Sequence, residues 1–445
     1  MRIDDFIFET EVRIDSSKRF QTIDGFGVNI NSKYWNKGNL IKVLESLISD
    51  LGTTLFRLDA YGNSNWIDPD NSAGPKILGT DYTKDVFKTQ PFIDAKEMCL
   101  WLNSKGIEPY INMSGIVPTW MCKDDGKTLV DFDSFAVMCA DYIQWLVESK
   151  VKFTLFGPLN ETDLGPPEGP FLDLKDYVKV LTVLSKELDR RGLSFIRFVV
   201  PEFSSVKLLP DFLSVLSSEE ILKNKIAAFA THTYTSSCDY NTVFEVIKKT
   251  PFKDIPLWMT EFGDLDQSGE REWFFSWKIF ERIMEFLEAG YSAGLYWDAF
   301  DNYHDHDKAW TSYGLFRNSR NIFTPKKRFY VLKHIFKFIL PGFQRLETIT
   351  DFSGLKIQAY QSKDKDSFTL VGFNSSLEGV WLNLKFTNFK INLEELKMHL
   401  YRTTIDDNCV FVGDFDGSCK WSSEVKYDKI TVSVEPHSIF TLTTL

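Results

Sequence analysis

The sequence predicts an α/β protein, a (β/α)8 TIM barrel with a fused all-β sandwich domain. Between about residues 20 and 340, short apolar segments alternate with amphipathic helical patterns in strand-then-helix units, which favours a closed barrel over an open sheet. No G-x-G-x-x-G fingerprint follows any of these segments, so a dinucleotide-binding fold loses its main support. After Leu340-Pro341-Gly342 apolar and polar residues alternate and no long helix intervenes, which is typical of an antiparallel sandwich.

The candidate barrel strands are short runs rich in β-branched and aromatic residues. They lie at 22–29, 54–60, 107–114, 152–161, 194–202, 227–234, 256–262 and 294–300. Helical patterns separate them. The helix after the second strand is predicted to end at Lys105-Gly106, and the helix after the fourth to begin at the N-cap Asp173 and to end before Gly192.

The candidate sandwich strands are shorter alternating segments bounded by turns. They lie at 355–360, 367–373, 381–386, 396–401 and 429–434. Residues 7–14 alternate in the same way before the barrel begins, and could pair with the sandwich. We therefore expect an N-terminal strand within 1–20 that joins the sandwich, a barrel at 21–341 and a C-terminal sandwich at 342–445.

The composition excludes several kinds of partner. A formal net charge of −11 argues against nucleic acid, anionic membrane surfaces and polyanionic substrates. No 18-residue apolar run occurs, so we expect no membrane span, and no cofactor or protein partner is evident. The N-terminus is acidic, unlike a signal peptide. We expect a cytoplasmic protein if Met1 is the native start, and a secreted or periplasmic one if a leader was removed.

The cysteines indicate a reduced protein. None of the six has C-x-x-C spacing, and several fall in apolar helical patterns, so we expect core residues with free thiols. A Cys409–Cys419 bridge stays open if the protein is secreted.

Glutamates mark the ends of two predicted strands, with Glu161 as the last residue of one and Glu261 as the last but one of another. In a barrel of this kind the C-terminal ends of the strands carry the chemistry. Two carboxyl groups facing each other suit glycosidic-bond hydrolysis, in which one acid protonates the leaving oxygen and a second carboxylate attacks the anomeric carbon. A single glutamate at a strand end is more commonly a solvated rim residue. The hypothesis depends on several such residues meeting at one face.

The other candidate residues would bind the sugar, because aromatic faces cover the C–H side of sugar rings and polar groups bind its hydroxyls. They are Arg57, Trp120, Asn160, His232, Tyr234, Trp297 and Trp310. We expect Trp297 to form the floor of the subsite, with Trp120 and Trp310 as flanking platforms. Arg57 could keep Glu261 ionised.

Several segments resemble the clan A retaining glycoside hydrolases, and most closely family 30. They are QTIDGFG (21–27), VPTWM (117–121), LNE (159–161), WMTEFG (258–263), TPKKRFYVLKHIFKFILPGF (324–343) and VEPHSIFTLT (434–443). The resemblance implies a barrel with a side sandwich, retaining hydrolysis of β-glycosidic bonds in an oligo- or polysaccharide, Glu161 as acid/base and Glu261 as nucleophile. It also implies that Arg57, Asn160, Tyr234 and Trp297 line the glycone subsite.

The sequence departs from the family pattern at two places. Thr162 follows the Asn-Glu pair where many members have proline, and the loop at 299–310 matches no family pattern. HDHD (304–307) contains metal-ligand residue types, but its irregular spacing lacks an H-E-x-x-H motif, so we predict no metal. The long segment at 61–90 could build a cleft wall with Trp66 as a platform. A catalytically inactive carbohydrate-binding barrel and a transglycosylase stay open as alternatives.

Overall fold

The predicted barrel strands close into a parallel β-barrel in the computed structural model, which describes residues 6–59, 86–234, 240–267, 269–304, 308–389, 397–416 and 430–445. The first strand of the chain, β1 (Phe6–Thr22), precedes the barrel and belongs to a second, nine-stranded sheet. The predicted fold class, a (β/α)8 barrel with a separate β-rich domain, is confirmed.

The barrel strands follow one another around the barrel in sequence order, and β2 pairs with β9 to close it. They are β2 (Gly25–Ile30), β3 (Leu55–Asp59), β4 (Tyr110–Asn112), β5 (Leu155–Gly157), β6 (Arg197–Phe203), β7 (Ile226–Thr233), β8 (Leu257–Phe262) and β9 (Ala293–Tyr296). The helices between and after them are α1 (Ile41–Ser46), α2 (Gln90–Ser104), α3 (Phe132–Glu148), α4 (Leu174–Arg190), α5 (Leu209–Leu216), α6 (Tyr240–Ile247), α7 (Glu272–Ala289) and α8 (Lys327–Phe336). Two hairpins lie between β9 and α8, formed by β10 (Tyr303–His304) with β11 (Ala309–Trp310), and by β12 (Phe316–Ser319) with β13 (Ile322–Pro325).

The helix boundaries follow the capping signals in the sequence. Asp173 caps α4, because its side chain accepts a hydrogen bond from the backbone N–H of Asp176 at 2.8 Å. The apolar face of α4 is fully buried against the barrel. Gly192, just beyond this helix, has φ +74°, a backbone conformation that favours glycine.

Most predicted barrel strands are longer than the observed ones, and two of them run four residues past the observed C-terminal end. The strand predicted at 152–161 ends at Gly157, because Pro158 has no N–H to continue the ladder, so Asn160 and Glu161 lie in the loop beyond it. Gly157 itself packs against the Tyr110 hydroxyl and the Asn112 amide, and a Cβ there would lie 2.3 Å from that hydroxyl oxygen. The strand predicted at 294–300 ends at Tyr296.

The nine-stranded sheet curls into two layers around its own apolar core. Its remaining strands are β14 (Gln344–Thr350), β15 (Leu355–Gln361), β16 (Phe368–Asn374), β17 (Gly379–Thr387), β18 (Lys397–Thr403), β19 (Val410–Asp416), β20 (Ile430–Val434) and β21 (Ser438–Thr443). The order across the sheet is β19-β18-β21-β16-β15-β14-β1-β17-β20, and the two edge strands, β19 and β20, lie near each other. Strand β1 is antiparallel to β14 and parallel to β17, and Val12 and Ile14 from β1 share the core.

The described cysteines, Cys99, Cys122, Cys139 and Cys409, are free thiols. Burial raises the pKa of Cys99 to about 12, which makes this thiol a poor nucleophile. Cys419, the proposed partner of Cys409, lies outside the described residues. Within the described parts of the chain, none of the helices has the length and apolar character needed to cross a bilayer.

The sandwich docks on helices α7 and α8. His334 of α8 is fully buried there, and both of its ring nitrogens form 2.8 Å hydrogen bonds to threonine hydroxyls, one to Thr441 and one to Thr403. Burial lowers the pKa of His334 to about 3, and the nearby charge of Lys333 acts in the same direction.

His334 should therefore make stability depend on pH. The unfolded chain takes up a proton on this residue as the pH falls below about 6.5, whereas the folded protein does not until about pH 3. The contribution of His334 to the free energy of unfolding is fully present above about pH 6.5. It is lost as the pH falls below this value, at about 1.4 kcal/mol per pH unit. Between pH 7.5 and 5.0 the loss due to His334 should be about 2 kcal/mol, measured by urea unfolding.

The variant His334→Gln should lack this part of the pH dependence, although it is less stable at neutral pH. His399→Gln, which changes a partly exposed ring on β18, serves as the matched control. Identical pH dependence in the wild type and in His334→Gln would contradict the prediction.

Candidate active site

Each barrel strand contributes a polar or aromatic side chain at its C-terminal end, or in the residues just beyond it. In chain order they are Asn29, Arg57, Asn112, Asn160 with Glu161, Glu202, His232 with Tyr234, Glu261 and Trp297. Parallel strands end at the same mouth of a barrel, so side chains from distant parts of the sequence meet there. The structure thereby brings together Arg57, Asn160, Glu161, His232, Tyr234 and Glu261 from the sequence prediction.

Arg57 is the centre of the hydrogen-bond network. Its guanidinium is fully buried, and Nη1 donates to Asn29 Oδ1 at 2.6 Å and to Glu261 Oε1 at 2.7 Å. Nη2 donates to Asn160 Oδ1 at 2.7 Å and to Glu202 Oε2 at 2.8 Å. One cation thus links two carboxylates with the amide that precedes Glu161.

Glu261 is held from two sides. Arg57 donates to Oε1, and the Tyr234 hydroxyl donates to Oε2. His232 Nδ1 lies 3.6 Å from Oε2. These contacts fix the direction of the carboxylate in a place where only 5% of the residue is exposed. A carboxylate fixed in this way is suited to attack a bound electrophile.

Glu161 lies on a tightly folded loop. Its backbone has φ +39°, its N–H donates to the Glu202 carbonyl at 2.9 Å, and its carbonyl accepts from the N–H groups of Leu164 and Gly165. The following Gly-Pro-Pro segment folds back, so that Gly169 packs directly on the Asn160 carbonyl. Left-handed backbone at a non-glycine residue is strained, and such strain concentrates at functional sites.

Burial raises the pKa of Glu161, the Glu261 charge acts in the same direction, and the hydrogen bond from His232 opposes both. A raised pKa keeps a carboxylic acid protonated near neutral pH, as a general acid requires.

His232 is the direct partner of Glu161, with Nδ1 2.7 Å from Glu161 Oε1. Burial disfavours the charged ring, but the nearby carboxylates of Glu261 and Glu161 outweigh it and raise the pKa of His232 to about 8. Below about pH 8 the ring is protonated, so Nδ1 carries an N–H that donates to Glu161, whereas Nε2 has no hydrogen-bond partner among the described residues.

The two glutamates face each other at short range. One carboxylate oxygen from each, together with one His232 ring nitrogen, all lie within 4.8 Å of one another. In the described part of the chain this is the one such group of three metal-ligand residues. An ion here would have to replace the Nδ1–Oε1 hydrogen bond and would lie beside the Arg57 cation.

Trp297 lies at the barrel mouth directly after β9. Its backbone N–H donates to the Phe262 carbonyl at 2.9 Å, next in sequence to Glu261, and its ring is 6.0 Å from the His304 ring. Its side chain is half-buried. Burial raises the pKa of Asp298, the next residue, whose Oδ2 accepts from the Asn302 amide at 2.6 Å and so helps to fix the loop that carries Trp297.

Trp310 and Trp120 lie outside the hydrogen-bond network. Trp310 pairs across the β10–β11 hairpin with Tyr303, so both lie on the face opposite His304, and Trp310 is 56% exposed. Trp120 lies in a single 3₁₀ turn (Thr119–Met121) that packs on the barrel core. Within the described residues, no hydrogen bond or ring contact joins either to the network. Trp66 and most of the 304–307 segment lie outside the described residues.

Three residues of the network were missed by the sequence analysis. Asn29 and Glu202 each end a predicted strand, which is the same signal that indicated Glu161 and Glu261. Asn112 had no such signal, because it lies inside the predicted segment 107–114. Its amide donates to Glu202 Oε2.

No protein-family model and no curated protein matches the chain. Solved structures do match. A glycoside hydrolase family 30 subfamily 8 xylanase from Clostridium acetobutylicum is 14% identical, with a TM-score of 0.72 over 97% of this chain and 99% of that chain. A family 30 endoxylanase from Clostridium papyrosolvens C71 is 17% identical, with a TM-score of 0.71 over the same two fractions. An endo-β1,6-glucanase is 15% identical, with a TM-score of 0.69 over 98% of this chain and 93% of that chain. The chain therefore has the same fold as these enzymes, and the architecture implied by the resemblance to family 30 is confirmed.

Proposed function

We propose that the protein is a retaining glycoside hydrolase that cleaves β-glycosidic bonds of an oligo- or polysaccharide by double displacement. The observation that carries this proposal is the short separation of Glu161 and Glu261, whose nearest carboxylate oxygens lie within 4.8 Å. Retaining enzymes have carboxyl groups about 5–5.5 Å apart, and inverting enzymes about 6.5–9.5 Å, because a water molecule must fit between the second carboxylate and the sugar.

In the first step Glu261 attacks the anomeric carbon while Glu161 gives its proton to the glycosidic oxygen. The bond between carbon and leaving oxygen breaks, and a covalent glycosyl ester forms on Glu261. Arg57 and Tyr234 fix the orientation of the attacking Glu261 carboxylate by hydrogen bonds. The Nδ1–H of His232 stabilises the negative charge that Glu161 acquires when it loses its proton.

In the second step the Glu161 carboxylate takes a proton from water, and the oxygen of that water attacks the anomeric carbon. The ester bond to Glu261 breaks, so both residues return to their first state. Two inversions leave the product with the anomeric configuration of the substrate.

The sugar in the glycone subsite would lie on Trp297, with Arg57, Asn160 and Tyr234 beside it. The Asn160 amide is oriented at both ends, because Oδ1 accepts from Arg57 and Nδ2 donates to the Glu168 carbonyl at 3.2 Å. The structural neighbours include xylanases and a β-glucanase, which supports a β-linked polysaccharide as the substrate class.

The first-formed product should have the same anomeric configuration as the substrate. A panel of chromogenic β-glycosides and defined oligosaccharides would identify a turned-over substrate, and ¹H NMR of the early reaction would then identify the anomer before mutarotation. An inverted product would contradict the mechanism. Sugar–sugar products in place of free sugar would identify a transglycosylase with the same covalent step.

A further inference from the structure

We propose that Glu202 is a positioning residue for this reaction, which holds Arg57 in place and, through Arg57, sets the direction of the nucleophile Glu261. The inference rests on the proposed function. Glu202 touches neither reacting carboxylate with its side chain, so its role is distinct from those of Glu161 and Glu261.

Glu202 is a buried carboxylate that no substrate could reach directly. It lies near the end of β6 with 0% of its surface exposed, and its Oε2 accepts from Arg57 and from the Asn112 amide. An ionised carboxylate is costly to bury unless a charge and hydrogen bonds compensate it, and Arg57 provides the charge.

Arg57 divides its guanidinium between two carboxylates. Nη2 donates to Glu202 at 2.8 Å, and Nη1 donates to Glu261 at 2.7 Å. The guanidinium is planar and rigid, so a strong bond that fixes the direction of Nη2 also fixes the direction of Nη1. The position of the Glu261 carboxylate is therefore linked to Glu202.

Removal of the Glu202 charge would change how Arg57 divides its hydrogen bonds between the two carboxylates. Nη2 would keep only neutral acceptors, the Asn160 oxygen and the glutamine oxygen of Glu202→Gln, and Glu261 would become the single charged partner of Arg57. The guanidinium would then move toward Glu261 and bind it with both nitrogens, because the bidentate arrangement is the stronger one. A carboxylate held in this way is displaced from its line of attack and is less nucleophilic.

The backbone of Glu202 adds a second link, to the acid/base. Its carbonyl accepts from the Glu161 N–H at 2.9 Å, and Glu202 itself has φ +56°, next to the φ +39° of Glu161. Ser204 donates to Asp163 from its hydroxyl at 2.6 Å, which ties the two loops together once more. The ion pair with Arg57 thus also anchors the strained segment that supports Glu161.

The variant Glu202→Gln keeps the size of the side chain and removes its charge. We expect kcat per active site to fall about 10- to 100-fold with little change in KM, since a misplacement of about 1 Å can cost this much. Active sites would be counted by covalent labelling with a 2-deoxy-2-fluoro glycoside. The loss should be equal for good and poor aryl leaving groups, because the nucleophile and not the acid is affected.

Glu187→Gln is the matched control, since it removes a carboxylate that pairs with Arg191 at 2.7 Å on α4, outside the barrel mouth, and it should keep wild-type kcat. If Glu202→Gln does not fold, Glu202→Asp keeps the charge but withdraws it by one methylene, and should lose about 3- to 10-fold. A purely structural role would lower the labelled fraction and leave kcat per labelled site unchanged, which would overturn the proposal.

A crystal structure of the variant tests the inference without any activity. The Arg57 guanidinium should leave its shared position and bind Glu261 through both nitrogens. An unchanged guanidinium position in Glu202→Gln would overturn the inference, even if the wild type proves to be an active glycosidase. An inactive wild type with the expected shift of Arg57 would instead refute the proposed function and leave the structural link intact.

Discussion

Glu261→Gln is expected to abolish turnover of every β-glycoside that the wild type hydrolyses, with a fall in kcat on the order of 10⁴-fold or more. The amide cannot form the glycosyl ester, so the first step has no nucleophile. Glutamine has the size of glutamate, and its carbonyl oxygen can still accept from Arg57, which keeps the fold and the substrate contacts. Steady-state kinetics with an aryl β-glycoside would measure the loss, with the thermal midpoint as a check on folding.

A variant with a smaller side chain at position 261 gives a second test of the nucleophile. In Glu261→Ala, added azide can occupy the space of the lost carboxylate and attack from the same side, which should give an α-glycosyl azide. Residual activity above about one hundredth of the wild type in Glu261→Gln, after deamidation has been excluded by mass spectrometry, would show that Glu261 is not the nucleophile.

Glu161→Ala is expected to have an effect that depends on the leaving group. Substrates with a sugar as leaving group should lose about 10²- to 10⁴-fold, the usual contribution of a general acid. A dinitrophenyl glycoside needs little protonation, so its first step should continue and the glycosyl ester should accumulate. Azide should then speed release, and it should give a β-glycosyl azide, the opposite anomer to that from Glu261→Ala.

Glu161→Ala also identifies the group whose titration causes the pH dependence of activity. Burial raises the pKa of Glu161, and activity needs its proton, so activity of the wild type should fall as the pH rises through that pKa. With a dinitrophenyl substrate, this basic limb should be absent in Glu161→Ala. A limb that persists would assign the titration to His232, whose pKa the neighbouring carboxylates raise to about 8 against the effect of burial. Equal losses for all leaving groups would contradict the acid/base role.

The barrel could be predicted from sequence because each strand is an apolar run and each helix carries its own capping signal, as Asp173 does for α4. Strand ends were harder to place. Apolar patterning continues past Gly157 to Leu159, whereas the ladder stops at the missing N–H of Pro158. The position of Glu161 in a loop depends on backbone hydrogen bonds with Glu202 and Gly165. Glu202 is distant in sequence, and the bond with Gly165 belongs to a turn that is not part of a regular element.

The residue types of the site could also be predicted, but their roles depend on partners across the barrel. Glu161, Glu202 and Glu261 all lie close to the ends of predicted strands, and what separates them is burial and pairing, which no local pattern records. Trp310 illustrates the same limit. Its residue type suits a sugar platform, whereas the face on which it lies, opposite His304, depends on the pairing of β11 with β10.

The position of β1 between β14 and β17 has a consequence for synthesis on the ribosome. Strand β1 is made long before its partners: Thr10 and Thr350, which contact each other across β1 and β14, are 340 residues apart. At about 5–20 residues per second, β1 waits roughly 20 to 70 s for β14, while the barrel strands that follow can begin to pair. Contacts of such high sequence separation slow folding, because a long loop must close before they form. During this interval β1 carries unpaired backbone groups and the apolar side chains of Val12 and Ile14, features that make a nascent chain prone to aggregate.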